Sequence, residues 1–115
     1  MSVRVRRQGV TPETLWKADE VGTTDTAKKH VNTVLDNVTF DTPKPEELLH
    51  RIIHIATNTN DLILDSFAGS GTTGAVAHKM NRRWLMVEIG DHARSHIVPR
   101  LKRLPMVKKE EYHKL

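Results

Sequence analysis

The stretch DLILDSFAGSGTTG, residues 61–74, restricts the fold more than any other part of the chain. It opens on an apolar run, residues 62–64, long enough for one buried strand of a parallel sheet. Asp65 closes the run, a glycine-rich turn follows, and from Thr72 through Ala75, Val76, Ala77, His78, Lys79 and Met80 the chain reads as helix. Strand, glycine turn and helix in this order receive an anionic or nucleotide-like ligand, because free backbone N–H groups and the macrodipole converge at a helix N-terminus. Gly69 and Gly71 let the backbone turn tightly and approach a ligand. Gly74 lets the helix lie close to the strand.

Gly69, Gly71 and Gly74 fit the dinucleotide fingerprint G-x-G-x-x-G, a pattern that an ordinary βαβ turn also produces. A second apolar run, Trp84-Leu85-Met86-Val87, follows one helix later and ends in Glu88. That carboxylate falls roughly 20 residues after the first glycine, where the fold places an acid on ribose hydroxyls. Asp65 selects among ligands. A pyrophosphate at this turn would be repelled by a carboxylate, whereas the sulfonium and ammonium of S-adenosylmethionine are attracted by one. The methionine carboxylate can still use the N–H groups of the turn. Asp65 therefore favours S-adenosylmethionine over NAD, the alternative being that it only caps the turn.

Asp65-Ser66-Phe67-Ala68-Gly69-Ser70-Gly71-Thr72-Thr73 resembles the cofactor motif of amino-group DNA methyltransferases, D-x-F-x-G-S-G-T-T. Upstream, Phe40-Asp41-Thr42-Pro43-Lys44-Pro45-Glu46-Glu47-Leu48-Leu49 is similar to their T-x-K-P-x-x-L-x-x-x-I segment, and Trp84-Leu85-Met86-Val87-Glu88 to their ribose-binding strand. Within the family the likeness is greatest to modification subunits of type III restriction systems. Leu15-Trp16, Gly22-Thr23-Thr24 and Ala27-Lys28 also resemble those subunits.

The resemblance implies an α/β, partial Rossmann-like methyltransferase fold: helix, strand, glycine loop, helix, strand, helix. It implies S-adenosylmethionine as cofactor, held by Thr42, Lys44, Asp65, Phe67, Ala68, Gly69, Gly71, Thr72 and Glu88. The implied reaction is methyl transfer to the exocyclic amino group of adenine (less readily cytosine) in DNA, with the base flipped out of the duplex. In the family an Asp/Asn/Ser-Pro-Pro-aromatic motif grips that amino group. Here prolines stand only at 12, 43, 45, 99 and 105, never adjacent, so no residue is assigned to catalysis. The expectation is a cofactor-binding piece, inactive alone, whose partners are DNA in the full enzyme, a missing catalytic half or restriction subunit, or a second copy. Two strands cannot complete the family's sheet, and bare strand edges attract partners, so an oligomer or a loosely packed monomer is expected.

The remaining segments divide into a lead-in over residues 1–40, the cofactor region over 41–104 and a basic tail over 105–115. In the lead-in, Leu15-Trp16 offers an anchor, and residues 26–36 predict a short helix capped by Thr24 or Asp25. Prolines 43 and 45 keep the preceding residues extended. Leu48, Leu49, Ile52, Ile53 and Ala56 mark an amphipathic helix over 45–57, with Pro45 in its first turn. Asparagines at 58 and 60 replace the glycine often found before the central strand, and asparagine tolerates the left-handed conformation. Toward the end, Ala93, Ile97, Leu101 and Leu104 have helical spacing after an Asp91 cap, and Pro99 starts, kinks or divides that helix.

A net charge of +4 admits a polyanion partner. The cations gather at the ends, at Arg4, Arg6 and Arg7, then Arg100, Lys102, Arg103, Lys108 and Lys109, as phosphate-tracking arms or solvated tails. The chain has no cysteine, no signal-like start and no apolar run approaching the roughly 20 residues of a membrane span, which fits a cytoplasmic protein. His50 with His54 and His92 with His96 are i, i+4 pairs, but no third ligand completes a zinc motif, and they read as solvated surface residues. Two further readings remain: part of an NAD-dependent Rossmann oxidoreductase, or a non-catalytic relic that binds DNA or a restriction subunit.

Overall fold

The computed structural model describes residues 9–105. Its elements are α1 (Ala18–Val21), α2 (Thr24–Val34), α3 (Glu46–Ala56), β1 (Leu62–Asp65), α4 (Thr72–Lys79), β2 (Arg83–Met86), a π-helical turn (Ala93–Ile97) and α5 (Val98–Lys102). The expected order of helix, strand, glycine loop, helix, strand and helix is present from α3 onward, preceded by two helices where one was expected.

β1 and β2 pair in parallel, Leu62 opposite Arg83 through Asp65 opposite Met86. The pairing runs on past the strands: Val87 N–H donates to the Asp65 carbonyl (2.8 Å) and Ala68 N–H to the Val87 carbonyl (3.0 Å). At the opposite end, Asn60 N–H donates to the Asn81 carbonyl (2.9 Å), and both asparagines have positive φ, 69° and 60°. Asparagine takes over the role of glycine there, as its tolerance of that region allows.

The crossover helix α4 and the preceding helix α3 cover one face of the sheet. Ile53, Val76 and Ala77 are buried, with Leu49, Ile63, Met80 and Trp84 packed around them. Gly74 is where α4 meets the sheet, since a Cβ there would come within 2.6 Å of Met86 Sδ on β2. The expectation of a buried β1 is corrected: the opposite face carries Leu62 and Leu64, 59% and 62% exposed, beside Leu85 and Val87, 55% and 52% exposed. A single crossover places a helix on one face only.

Several local expectations shift for identifiable reasons. The cap of α2 is Thr23: its Oγ1 accepts from Thr26 N–H (3.2 Å), and Thr23 N–H donates to Thr26 Oγ1 (2.9 Å). The reciprocal bond, supplied here by the Thr26 hydroxyl three residues on, outweighs a cap at Thr24 or Asp25. Pro45 is the extended residue before α3 (ψ 143°) and not a member of its first turn. Leu15 is 73% exposed and anchors nothing among the described residues, while Trp16 is half-buried under the Arg51 guanidinium, 5.5 Å from the ring centre.

Pro99 stands as the second residue of α5, where the π-helical turn gives way to α-helix. A proline cannot donate the i→i−4 bond that would have made the two one helix. Asp91 contributes its carbonyl, which accepts from Arg94 N–H (3.0 Å), rather than a side-chain cap. Of the cations assigned to the ends, Arg4, Arg6, Arg7, Lys108 and Lys109 lie outside the described residues, as do most of the lead-in's first ten residues and the tail. Arg100 is no tail residue: it is 1% exposed. No helix among the described residues is long and apolar enough to cross a membrane.

Candidate functional site

Where β1 runs into the glycine loop, a cavity of about 260 Å³ opens between two walls. One wall is Phe40, Thr42, Lys44 and Leu49; the other is Asp65, residues 67–70, Thr72 and Thr73. Of the residues expected to hold a cofactor, Thr42, Lys44, Asp65, Phe67, Ala68, Gly69 and Thr72 thus line a single space, and Gly71 and Glu88 do not.

The backbone explains the loop's composition. Gly69 and Gly71 have φ of 56° and 77°, in the left-handed region that side chains disfavour. A Cβ on Gly69 would meet nothing nearer than Phe40 Cζ at an ordinary 3.6 Å, so glycine is favoured there by φ alone. At Gly71 a Cβ would also press on Ile97 Cγ2 at 3.2 Å; Gly71 faces the C-terminal segment, away from the cavity. Gly71 is the N-cap of α4 and supplies no side-chain cap, so it leaves the first-turn N–H groups of α4 uncapped, and two of these belong to Thr72 and Thr73, which line the cavity.

Asp65 accepts at Oδ1 from Phe67 N–H (3.1 Å), which turns the chain sharply at the strand end. It therefore caps the turn, and Asp65 is also one of the residues that line the cavity. Phe67 stands at the rim, 91% exposed. Phe40 is wedged between His92 and His96, both edge-on at 5.4 Å, so those two histidines are not merely solvated.

The model of the DNA methylase family N6_N4_Mtase matches residues 2–98. The chain belongs to this family. Over 61 residues it is 51% identical to the "Probable type III restriction-modification enzyme HindVI Mod subunit" of Haemophilus influenzae, an alignment covering 53% of this chain and 8% of that protein. It is 48% identical over 58 residues to the type II methyltransferase M1.MboII of Moraxella bovis, covering 50% of this chain and 22% of the relative. To the DNA adenine methyltransferase YhdJ of Escherichia coli it is 54% identical over 48 residues, 42% of this chain and 16% of the relative. The chain thus spans between 8% and 22% of the length of these relatives.

In this DNA methylase chain Glu88 sits behind the glycine loop. Its Oε2 accepts from Gly69 N–H (2.8 Å), and its Oε1 accepts from Gly90 N–H (2.9 Å) and lies 3.0 Å from His92 Nε2. The Gly90 and Gly69 N–H groups, with His92 beside them, outweigh partial burial and hold the carboxyl at a pKa of about 2. An ionised Glu88 thereby ties the second strand to the turn after the first.

Arg100 is the residue that sequence reasoning missed. Placed by spacing among the terminal cations, it reaches inward from α5 to the back of the loop, and no motif distinguishes it from Lys102 or Arg103. A larger depression of about 440 Å³, between α1, α3 and α4, is lined by Glu20, Glu46, Arg51 and Lys79 among others. Those charges already satisfy one another, Arg51 with Glu20 (2.9 Å) and Lys79 with Glu46 (2.6 Å), so the space offers a ligand little. Among the described residues no group of three or more His, Cys, Asp or Glu side chains is arranged to hold a metal.

Proposed function

We propose that this chain is the S-adenosylmethionine-binding portion of a site-specific adenine DNA methyltransferase, with a partial Rossmann-like fold and its cofactor region in residues 41–104. The observation that carries the reading is the convergence of Asp65, the first turn of α4 and the 42–44 segment on one cavity. The donor set suits a zwitterion with an extra cation: a carboxylate at the strand end for the ammonium and sulfonium, helix N-terminal N–H groups for a carboxylate. Phe67 and Phe40 add flat apolar surface for a purine. The bound group would supply an electrophilic methyl. This chain's residues bind and orient: Asp65 holds the cationic end, Thr72 and Thr73 present the helix N-terminus, and Gly69 keeps the backbone within reach. Glu88 does not line the cavity and its two oxygens already accept the Gly69 and Gly90 N–H groups, so its first role is to set the turn.

At about 260 Å³ the cavity falls just below the roughly 300–1,000 Å³ of small-molecule sites. A site short of a wall is what a portion of a longer enzyme would present. No Pro-Pro pair is present to grip a target base, so the chain alone binds cofactor without methylating DNA. The catalytic half comes from a further polypeptide segment, a partner chain or a restriction subunit, and DNA is met in that assembly.

The test is calorimetric titration with S-adenosylmethionine, with NAD in parallel and Asp65→Ala as control. Binding that disappears in Asp65→Ala supports the reading. Preference for NAD would move the chain to oxidoreductases. No binding of either would mean that the cavity does not form a cofactor site without further chain.

A further inference from the structure

The two walls of the cavity belong to segments far apart in sequence, and something must keep them in register. They meet at Thr72, whose Oγ1 donates to the Lys44 carbonyl (3.2 Å) and lies 3.1 Å from Ser70 Oγ. Behind that seam lies the Arg100 guanidinium, outside the cavity and almost wholly buried. One terminal nitrogen donates to the Ser70 carbonyl (3.2 Å) and to Thr72 Oγ1 (3.1 Å); the other donates to Glu46 Oε1 (2.9 Å). Glu46, at the start of α3 two residues after Lys44, also receives Lys79 on Oε2 (2.6 Å) and has His30 3.1 Å from Oε1. Burial alone would push its carboxyl up, yet the bonds from Lys79 and Arg100 hold it at about 2.

We propose that Arg100 is a positioning residue for the cofactor cavity, clamping the glycine loop to the 42–46 segment through Ser70, Thr72 and Glu46. The proposal rests on the cofactor reading above. A guanidinium suits the task because its planar fork reaches two differently placed acceptors at once, whereas an ammonium is a point charge on a flexible stem. Burial of an ion is costly unless every donor finds a partner, so the clamp holds only while the loop carbonyl, the threonine hydroxyl and the carboxylate stay in place. The interaction is therefore two-way. Arg100 fixes the loop, and the loop is the reason Arg100 is tolerated inside.

The experiment measures amide hydrogen exchange and S-adenosylmethionine affinity on the full chain and on Arg100→Lys, Arg100→Met and Arg103→Ala. Arg103, on the same segment, pairs with the exposed Asp36 and serves as control. In Arg100→Lys, exchange at the bonded loop amides of Gly69 and Gly71 should quicken about tenfold relative to residues 31 and 53 in the core, with a similar loss of affinity. Arg100→Met should do more of both, and Arg103→Ala neither. If loop and core exchange rise in step, Arg100 is only a stabilising residue and the proposal is overturned. Unchanged affinity in a folded Arg100 variant of a chain that binds overturns it as well. Should the unaltered chain bind no cofactor, the cofactor reading fails, and the exchange ratio still decides whether Arg100 holds the loop.

Discussion

On one face of the two-stranded sheet Ile63, Trp84 and Met86 lie under α3 and α4; on the other, Leu62, Leu64, Leu85 and Val87 are each more than half exposed. The residues on the two faces are alike in size and apolarity. What separates them is the number of helices available. A parallel pair needs one crossover, that crossover covers one face, and parallel sheets are ordinarily covered on both. The candidate cavity lies at the end of the covered side, with its glycine loop braced by Glu88, Arg100 and the first turn of α4. The open side has no such bracing among the described residues.

The largest effect that tests this contrast is Ile53→Ala beside Leu64→Ala. Ile53 is 3% exposed, and its truncation should lower unfolding free energy by about 2–5 kcal/mol in a denaturant titration. Leu64→Ala should cost less than about 1 kcal/mol. Equal losses would show that the open face is covered in solution, for instance by a second copy.

Acid sharpens the same comparison on the covered side. The folded pKa of Glu46 lies below its ordinary 4.5, at about 2, so its contribution is complete above pH 4.5 and drains away as pH falls toward 2. With the side chain 19% exposed, the contribution is on the order of 2–3 kcal/mol at neutral pH. Glu46→Gln should be less stable at pH 7 and show a shallower stability loss between pH 4.5 and 2. Because Glu88 titrates in the same range, the difference between the two proteins is the quantity to read.

In the loop, Gly71→Ala should cost about 1–2 kcal/mol, from the left-handed backbone and the Ile97 contact together. Gly69→Ala should cost about 1 kcal/mol or less, because only the backbone term applies. Thermal melts that rank the two the other way would mean that the C-terminal segment does not press on the loop. The smallest change in folding stability, within about 0.5 kcal/mol per site, is expected for Leu62→Ser and Leu85→Ser on the open face. Their expected effect is on association: light scattering should show less self-association than in the unaltered chain. A monomer at every concentration for both proteins would remove the case that this face seeks a partner.

The glycine loop and its setting were legible because each part has a local cause. Glycine at 69 and 71 suits the positive φ of both positions, the apolar run at 62–64 is short enough for a strand, and the 48–56 periodicity is that of a helix with one buried face. The cap of α2 was misplaced by one or two residues because the reciprocal Thr23–Thr26 bond depends on a hydroxyl that is not the usual Glu or Gln partner. Arg100 was invisible for a deeper reason: a basic residue near the end of a chain carries no local sign of burial. Its partners, Ser70, Thr72 and Glu46, are 28 to 54 residues away.

By itself the sequence determined the order of elements from α3 onward, the strand–glycine loop–helix unit, the family to which these motifs belong and the chemical types of the residues that line the cavity. Those follow from backbone sterics and hydrophobic period, which act over a few residues. Only the tertiary structure decided which face of the sheet is left open, that Glu88 braces the loop from behind, and that a buried guanidinium joins the two walls. These depend on which distant segments are brought together, and electrostatic partnership across such distances leaves no periodic trace along the chain.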